Sequence, residues 1–65
     1  MSVRWGYLDG AGNPVGGSGS FPERGAAEDW LSEAWEELAD RGVVEVELRD
    51  EEHGTALYRM ALGPA

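Results

Sequence analysis

The side chains best suited to chemistry lie in one short segment, residues 50–54, where three consecutive carboxylates precede the only histidine, His53. Carboxylates and an imidazole can bind a metal ion or transfer protons. Four consecutive residues rarely converge on one ion, however, and their spacing does not match an EF-hand loop. We therefore interpret the segment as a charged turn and predict no metal site.

Nucleophilic catalysis is not indicated either. The chain has no cysteine, and its serines have only His53 as a base. A histidine in a polar turn lacks the buried partner that orients a catalytic imidazole. Paired carboxylates such as Glu33 and Glu36 fall on an expected exposed helix face, away from any cleft that would shift a pKa. The sequence predicts no catalytic residues and a protein that is not an enzyme.

Five glycines between Gly10 and Gly19 suggest, at first sight, a phosphate-binding loop. The segment matches neither the Walker A pattern nor the dinucleotide fingerprint, and no lysine follows it. The glycines also fall between two expected strands instead of preceding a helix. We therefore predict no nucleotide and no other cofactor.

The charge balance narrows the classes of partner. The net charge is −8, and all five cations are arginines. Such an acidic chain is a poor ligand for nucleic acid or an anionic membrane, but it can meet a basic protein. We predict no direct nucleic-acid binding and no membrane binding, and allow for a protein partner or self-association. The absence of a signal peptide, a membrane span or a lipidation motif predicts a cytoplasmic location. A composition rich in Ala, Gly, Glu and Arg, without Lys or Ile, is typical of high-GC bacteria such as actinobacteria.

Alternating apolar residues predict the first strand at about residues 2–8, with Val3, Trp5 and Tyr7 facing the core. A turn follows, and residues 15–21 form a glycine-rich strand suited to a sheet edge. We expect Trp5 to cover Gly17 across this hairpin, because a large aromatic can support a weak glycine strand. A flexible Gly/Ser loop is the alternative.

The only helix is expected at about residues 23–41. Its start is ambiguous, because Ser20 with Glu23 resembles a capping box whereas Pro22 suits a first turn. Gly42 is expected just past its end. Trp30 and Trp35 should lie on opposite margins of the apolar stripe. That stripe is Ala27, Leu31, Ala34 and Leu38, and the outer face carries Asp29, Ser32, Glu33, Glu36 and Asp40.

Two further strands are expected at about residues 43–49 and 55–62, followed by a short tail at 63–65. Val44, Val46 and Leu48 should face the core, and Glu45 should face Arg59. We therefore predict a single α+β domain, β-β-α-β-β, with the helix on one face of a four-stranded antiparallel sheet. Strand order 2-1-3-4 is preferred, and order 2-1-4-3 is the alternative.

This architecture leaves two surfaces free to carry a function, the outer helix face and the open sheet face. The leading hypothesis is a non-enzymatic accessory or protein-interaction domain. The alternatives are an acidic mimic of nucleic acid that blocks a DNA- or RNA-binding protein, and a small-ligand binder with a crevice beside Trp5, Gly17 and Gly19. The candidate partner-binding residues are Asp29, Glu33, Glu36 and Asp40 for a basic partner, and Arg4, Leu57 and Arg59 on the sheet.

Overall fold

The computed structural model describes residues 2–62 and has an α+β fold. Its strands form one antiparallel sheet in the order β2-β1-β3-β4, and the helix packs on one face. The predicted fold class and the preferred strand order, 2-1-3-4, are confirmed, and the alternative order, 2-1-4-3, is wrong. The predicted tail lies outside the described residues. The elements are β1 (Val3–Leu8), β2 (Pro14–Phe21), α1 (Arg24–Asp40), β3 (Glu45–Asp50) and β4 (Thr55–Ala61).

Trp5 lies at the centre of the core. Its side chain is fully buried, and the indole Nε1–H donates a hydrogen bond of 2.9 Å to the carbonyl oxygen of Ala27 in α1. The ring also meets Tyr58 of β4 edge to face, with ring centroids 5.9 Å apart. Trp5 therefore joins β1 to the helix and to the far edge of the sheet. The other buried members of the core are Val3, Ala27, Leu31, Leu38, Val43, Val46 and Leu48.

The helix ends in a Schellman motif. The Val43 N–H donates to the Leu38 carbonyl at 3.1 Å, the Gly42 N–H donates to the Ala39 carbonyl at 3.1 Å, and Gly42 has φ +94°. Glycine adopts this φ without steric penalty, which confirms its predicted place. The motif also turns Val43 into the core beside Leu38.

The helix begins differently from either predicted start. Glu23 is the N-cap residue, and its side chain caps no backbone N–H. The capping box and the first-turn Pro22 are both wrong, because Glu23 itself is extended and the helix starts only at Arg24.

Strand β2 pairs with β1, but in a shifted register. Leu8 lies opposite Pro14 as expected, whereas Tyr7 lies opposite Gly16 and Gly6 opposite Gly17. The register shifts between Tyr7 and Leu8 and again between Arg4 and Gly6, so Trp5 does not cover Gly17. Gly16 has φ +154°, and a Cβ there would lie 3.3 Å from Tyr7 Cδ2. The aromatic that covers a glycine is therefore Tyr7.

Strands β3 and β4 pair one residue away from the predicted register beside the turn, and two residues away beyond the bulge. Asp50 lies opposite Thr55, and Glu47, not Glu45, lies opposite Arg59. The bulge at Leu48/Arg49 absorbs the extra residue of β4. Val44 is exposed instead of inward, because the Schellman motif places Val43 in the core.

The helix does not lie over the middle of the sheet. It packs against β1 and β2, and none of its Cα atoms lies within 8 Å of a Cα atom of β3 or β4. Trp30 packs on Phe21 of β2, with ring centroids 5.5 Å apart, and this contact holds the helix over the β1–β2 side of the sheet. Trp35 lies on the opposite margin, as predicted, and is also only partly buried. The offset leaves a gap between α1 and β4.

Candidate functional site

The four acids predicted to meet a basic partner all project from the helix into solvent. Asp29, Glu33, Glu36 and Asp40 are exposed. Because they recur every three or four residues along α1, they form one row on its outer face. The helix separates this row from the sheet residues, so the two predicted contact surfaces lie on opposite sides of the molecule.

The open sheet face brings the predicted sheet residues onto one surface. Arg4 of β1 and Leu57 and Arg59 of β4 are exposed there, with β3 between the two strands. The Arg4 guanidinium lies across Gly17, where a Cβ would come within 2.8 Å of Nη2. Arg4 also lies opposite Arg49 in the ladder, so this face carries three of the five arginines.

Glu47 organises the charges of this face. It is only 8% exposed, although no second layer covers the face among residues 2–62. Arg59 Nε donates to Oε2 at 2.9 Å, and Arg49 Nη1 donates to Oε1 at 2.5 Å. These hydrogen bonds, first from Arg59 and then from Arg49, lower the pKa of the Glu47 carboxyl. The paired arginine side chains thus cover the carboxylate and hold it ionised.

An apolar groove lies in the gap between α1 and β4. Its volume is about 280 Å³. That is near the lower limit of small-ligand pockets and large enough for one or two apolar side chains. Met60, on its floor, is 40% exposed. The groove is lined by Glu28, Leu31, Ser32, Trp35, Met60, Ala61 and Leu62.

A polar bridge closes one end of the groove. The Tyr58 hydroxyl donates a hydrogen bond of 2.5 Å to Glu28 Oε2, and Arg24 lies 3.7 Å from the same oxygen. The Arg24 guanidinium also lies 6.0 Å from the centre of the Tyr58 ring. Burial and the hydrogen bond to Glu28 raise the pKa of Tyr58 to about 12. The tyrosine therefore stays protonated and ties β4 to the helix.

Strand β4 is an unprotected edge. It pairs with β3 on one side, and no strand among residues 2–62 lies on the other. Natural edge strands are commonly blocked by lysines, prolines or inward charges. β4 has neither lysine nor proline, and its one charge, Arg59, is paired with Glu47. Beyond the bulge at Leu57, the strand is regular from Tyr58 to Leu62.

The charged turn holds one side-chain pair. Asp50 Oδ2 lies 2.8 Å from His53 Nδ1, and Oδ1 accepts the Glu52 N–H at 2.9 Å. The described residues contain no group of three or more His, Cys, Asp and Glu that could hold a metal ion. The Asp50–His53 pair caps the β3–β4 turn.

We expect this pair to make stability depend on pH. The hydrogen bond to Asp50 raises the pKa of His53, and the bond to His53 lowers the pKa of Asp50. The His53 contribution is fully present below its ordinary value of 6.5 and is lost as pH rises through the raised pKa. The Asp50 contribution is present above 3.8 and is lost as pH falls through the lowered pKa. His53→Ala should therefore lower Tm most at about pH 5.

The measurement is Tm of both proteins across pH. The exposed neighbour Glu51 provides the control, because Glu51→Ala leaves the Asp50–His53 pair intact. A Tm deficit of His53→Ala that stays constant from acid to alkaline pH would contradict the assignment.

The described part of the chain contains no helix long and apolar enough to cross a membrane. Comparison with known proteins found no matching family model and no significantly similar curated protein or solved structure.

Sequence reasoning missed two features of this surface. Alternation along β3 predicts an ordinary outward position for Glu47, whereas it lies beneath two arginines. Alternation along β4 likewise predicts that Met60 and Leu62 face the core, and it gives no sign of a groove between them and Trp35. One signal of this surface is visible in the sequence: every second residue of β4 is apolar and faces the helix side, and the strand carries a single charge.

Proposed function

We propose that this chain is a non-enzymatic protein-interaction domain, and that it binds an extended segment of protein along the outer edge of β4. One observation carries the proposal: the unblocked edge runs directly beside the apolar groove of Leu31, Trp35, Met60 and Leu62. Strand addition combines main-chain hydrogen bonds along an edge with pockets for alternate side chains. Both requirements are met at one place here.

Three features of the surface support this assignment. The exposed Met60 and the half-buried Trp35 are adaptable and aromatic residues of the kind enriched at interfaces. The pairing of Arg59 with Glu47 removes a free charge from the strand. The Tyr58–Glu28 bridge holds α1 and β4 apart at a fixed spacing, so the groove is preformed and little ordering is needed on binding.

The acidic helix face is proposed as a secondary contact. Asp29, Glu33, Glu36 and Asp40 would steer a basic partner toward the domain without determining how its segment lies on β4. The alternative of a nucleic-acid mimic uses the same residues, but it requires two rows of carboxylates, and α1 supplies one. It therefore ranks below strand addition.

A small apolar ligand is the second alternative. The crevice expected beside Trp5 is not present, since Trp5 is fully buried in the protein's own core. The groove beside Trp35 offers a place for such a ligand among the described residues. An occupied groove would keep other protein chains away from Met60, so one experiment separates this alternative from the proposal.

We expect site-specific photo-cross-linking to locate the binding edge. A photoreactive phenylalanine placed at Met60 should give discrete protein adducts in the native host after irradiation. The same residue at Val15, which is 53% exposed on the opposite edge strand β2, should give none. Peptide mapping should find the captured position in an extended segment of the adduct.

Adducts that form equally from both positions, or from neither, would contradict the proposal. Charge reversal at Glu33 and Glu36 in the position-60 protein tests the secondary contact, because adduct yield should then fall without a change of adduct identity.

A further inference from the structure

We infer that the segment bound along β4 is the β4 strand of a second copy of this chain. The inference rests on the edge-binding part of the proposed function and names its partner, and the acidic helix face, which would steer a basic partner, takes no part in it. Two copies related by a two-fold axis perpendicular to the sheet would pair their β4 strands antiparallel and form one continuous eight-stranded sheet. Both helices then lie on the same face of that sheet.

The backbone directions on β4 define which groups are free. The Leu62 N–H donates to the Val44 carbonyl at 2.8 Å, so the polar backbone groups of Leu62 point toward β3. Successive residues of a strand point alternately to its two sides, so those of Met60 also face β3. The backbone N–H and C=O groups of Arg59 and Ala61 therefore face outward, ready to pair with another strand.

One register between the two β4 strands uses these outward backbone groups and avoids repulsion between like charges. Arg59 pairs with Ala61 of the second copy, and Ala61 pairs with its Arg59, which satisfies the outward groups reciprocally. Met60 then lies opposite its own copy on the two-fold axis, and Tyr58 lies opposite Leu62. Pairing Arg59 with Arg59 instead would place like charges directly opposite, which is destabilising.

This register also joins the apolar surfaces. Tyr58, Met60 and Leu62 project on the helix side of the sheet, where Met60 and Leu62 line the groove. Across the axis, the two grooves become one continuous apolar channel beneath two Trp35 side chains. The Met60 surface, which is 40% exposed in the single copy, is thereby buried.

The charge distribution favours a second copy at this edge. The chain carries a net charge of −8, so two copies repel over most of their surfaces. Two carboxylates near β4 are neutralised locally, Glu47 by Arg49 and Arg59, and Glu28 by Arg24. Two copies therefore meet less repulsion along β4 than along the acidic outer face of the helix.

The other sheet edge does not offer the same surface. β2 has glycine at three of its eight positions, begins at Pro14, and contains two register shifts against β1. Bulges and proline disfavour strand addition, and glycines provide no side chains to bury. Self-association is thus expected at β4 alone.

The experiment uses the absence of cysteine from the chain. Met60→Cys places one thiol on the proposed axis, at a non-hydrogen-bonded pair whose Cα separation of about 4.5 Å suits a disulfide. Mild oxidation should convert most of the protein to a linked dimer on non-reducing gels. Ala61→Cys and Val15→Cys are the matched controls, and both should cross-link at least about ten-fold more slowly, since neither thiol meets its own copy in this register.

A second measurement uses the unlinked proteins. The wild-type chain of 7.0 kDa should sediment as a dimer, and Ala61→Pro should weaken dimerisation at least about ten-fold while its circular dichroism stays unchanged. Proline removes the outward N–H of Ala61 but no hydrogen bond to β3. A wild-type chain that stays monomeric at roughly 1 mM, where even a millimolar Kd gives abundant dimer, would overturn the inference. So would equal cross-linking at positions 60, 61 and 15.

The inference and the proposed function can fail separately. A monomeric protein whose position 60 is cross-linked to a different protein in cells would sink self-pairing and leave strand addition standing. A dimer in solution with no adduct from position 60 in cells would remove the cellular function and leave the pairing.

Discussion

Replacing Trp5 by alanine is expected to remove a large part of the free energy of unfolding at 25 °C. The side chain is fully buried, and removing a large aromatic from a core costs about 3–5 kcal/mol. A 65-residue domain has a total stability of roughly 3–10 kcal/mol, so this loss takes about a third of it or more. The loss also breaks the bond from Nε1 to Ala27 and the edge-to-face contact with Tyr58. Urea denaturation followed by far-ultraviolet circular dichroism measures the effect without relying on tryptophan emission.

Two further variants separate packing from hydrogen bonding. Trp5→Phe keeps a ring in the core but loses the donor to Ala27, and we expect a cost of about 1–3 kcal/mol. Trp30→Ala removes a tryptophan of the same size from the half-buried margin, where it contacts Phe21. It should cost less than Trp5→Ala. Equal losses from Trp5→Ala and Trp30→Ala would contradict the central place of Trp5.

The order of the strands and the helix could be predicted, because the local patterns of apolar residues in this chain are clear. Alternation around Trp5 and Val46 identifies two strands, and the spacing of Ala27, Leu31 and Leu38 identifies the helix. The strand order then follows from keeping neighbours antiparallel and placing the glycine-rich strand at an edge. These inferences depend on side-chain type and period, both of which are visible in the sequence.

The registers were less accessible, because each depends on bulges that leave no strong mark in the sequence. One shift beside Leu8 moves Tyr7 from Val15 to Gly16. In the second hairpin, Asp50 instead of Arg49 lies opposite Thr55, and the bulge at Leu48/Arg49 adds one more residue, so that Arg59 lies opposite Glu47 instead of Glu45. A strand has a period of two, so one extra residue changes which side chains meet. The charged pair predicted for Arg59 was correct in type and wrong in residue.

The groove could not be predicted, because it depends on where the helix lies across the sheet. That position follows from several packing contacts at once, among them Trp30 on Phe21 and Trp5 on Ala27, which hold α1 over β1 and β2. Sequence periodicity gives the face that a helix buries but not its lateral offset. The candidate site on β4 is a consequence of that offset.

Replacing Glu47 by glutamine is expected to destabilise the domain by about 1–2 kcal/mol. An exposed ion pair contributes about 0–1 kcal/mol, and breaking a fully buried one costs about 3–5. Glu47 lies between these limits: its side chain is 11% exposed, whereas those of Arg49 and Arg59 are 45% and 56% exposed. The substitution also leaves Arg49, which lies opposite Arg4, without its carboxylate partner. Urea denaturation at pH 7 measures the change.

The pH dependence of this effect has a definite sign. Hydrogen bonds from Arg59 and Arg49 lower the pKa of Glu47 below its ordinary 4.5. Its contribution to stability is therefore present above pH 4.5 and is lost as pH falls through the lowered pKa. The difference between the wild-type protein and Glu47→Gln should be constant near neutral pH and should shrink in acid. A difference that grows in acid would contradict the ion-pair explanation.

Glu45→Gln is the matched control, because Glu45 lies two residues away on the same face and lies opposite Ala61. It should change stability by less than about 0.5 kcal/mol, as is usual for a surface substitution. The comparison also tests the register of β3 against β4, since the register predicted from the sequence would place Glu45 opposite Arg59 and would reverse the order of the two effects. Arg59 lies on the proposed binding edge. The difference in stability between Glu47→Gln and Glu45→Gln therefore measures how strongly Glu47 holds the Arg59 side chain in place.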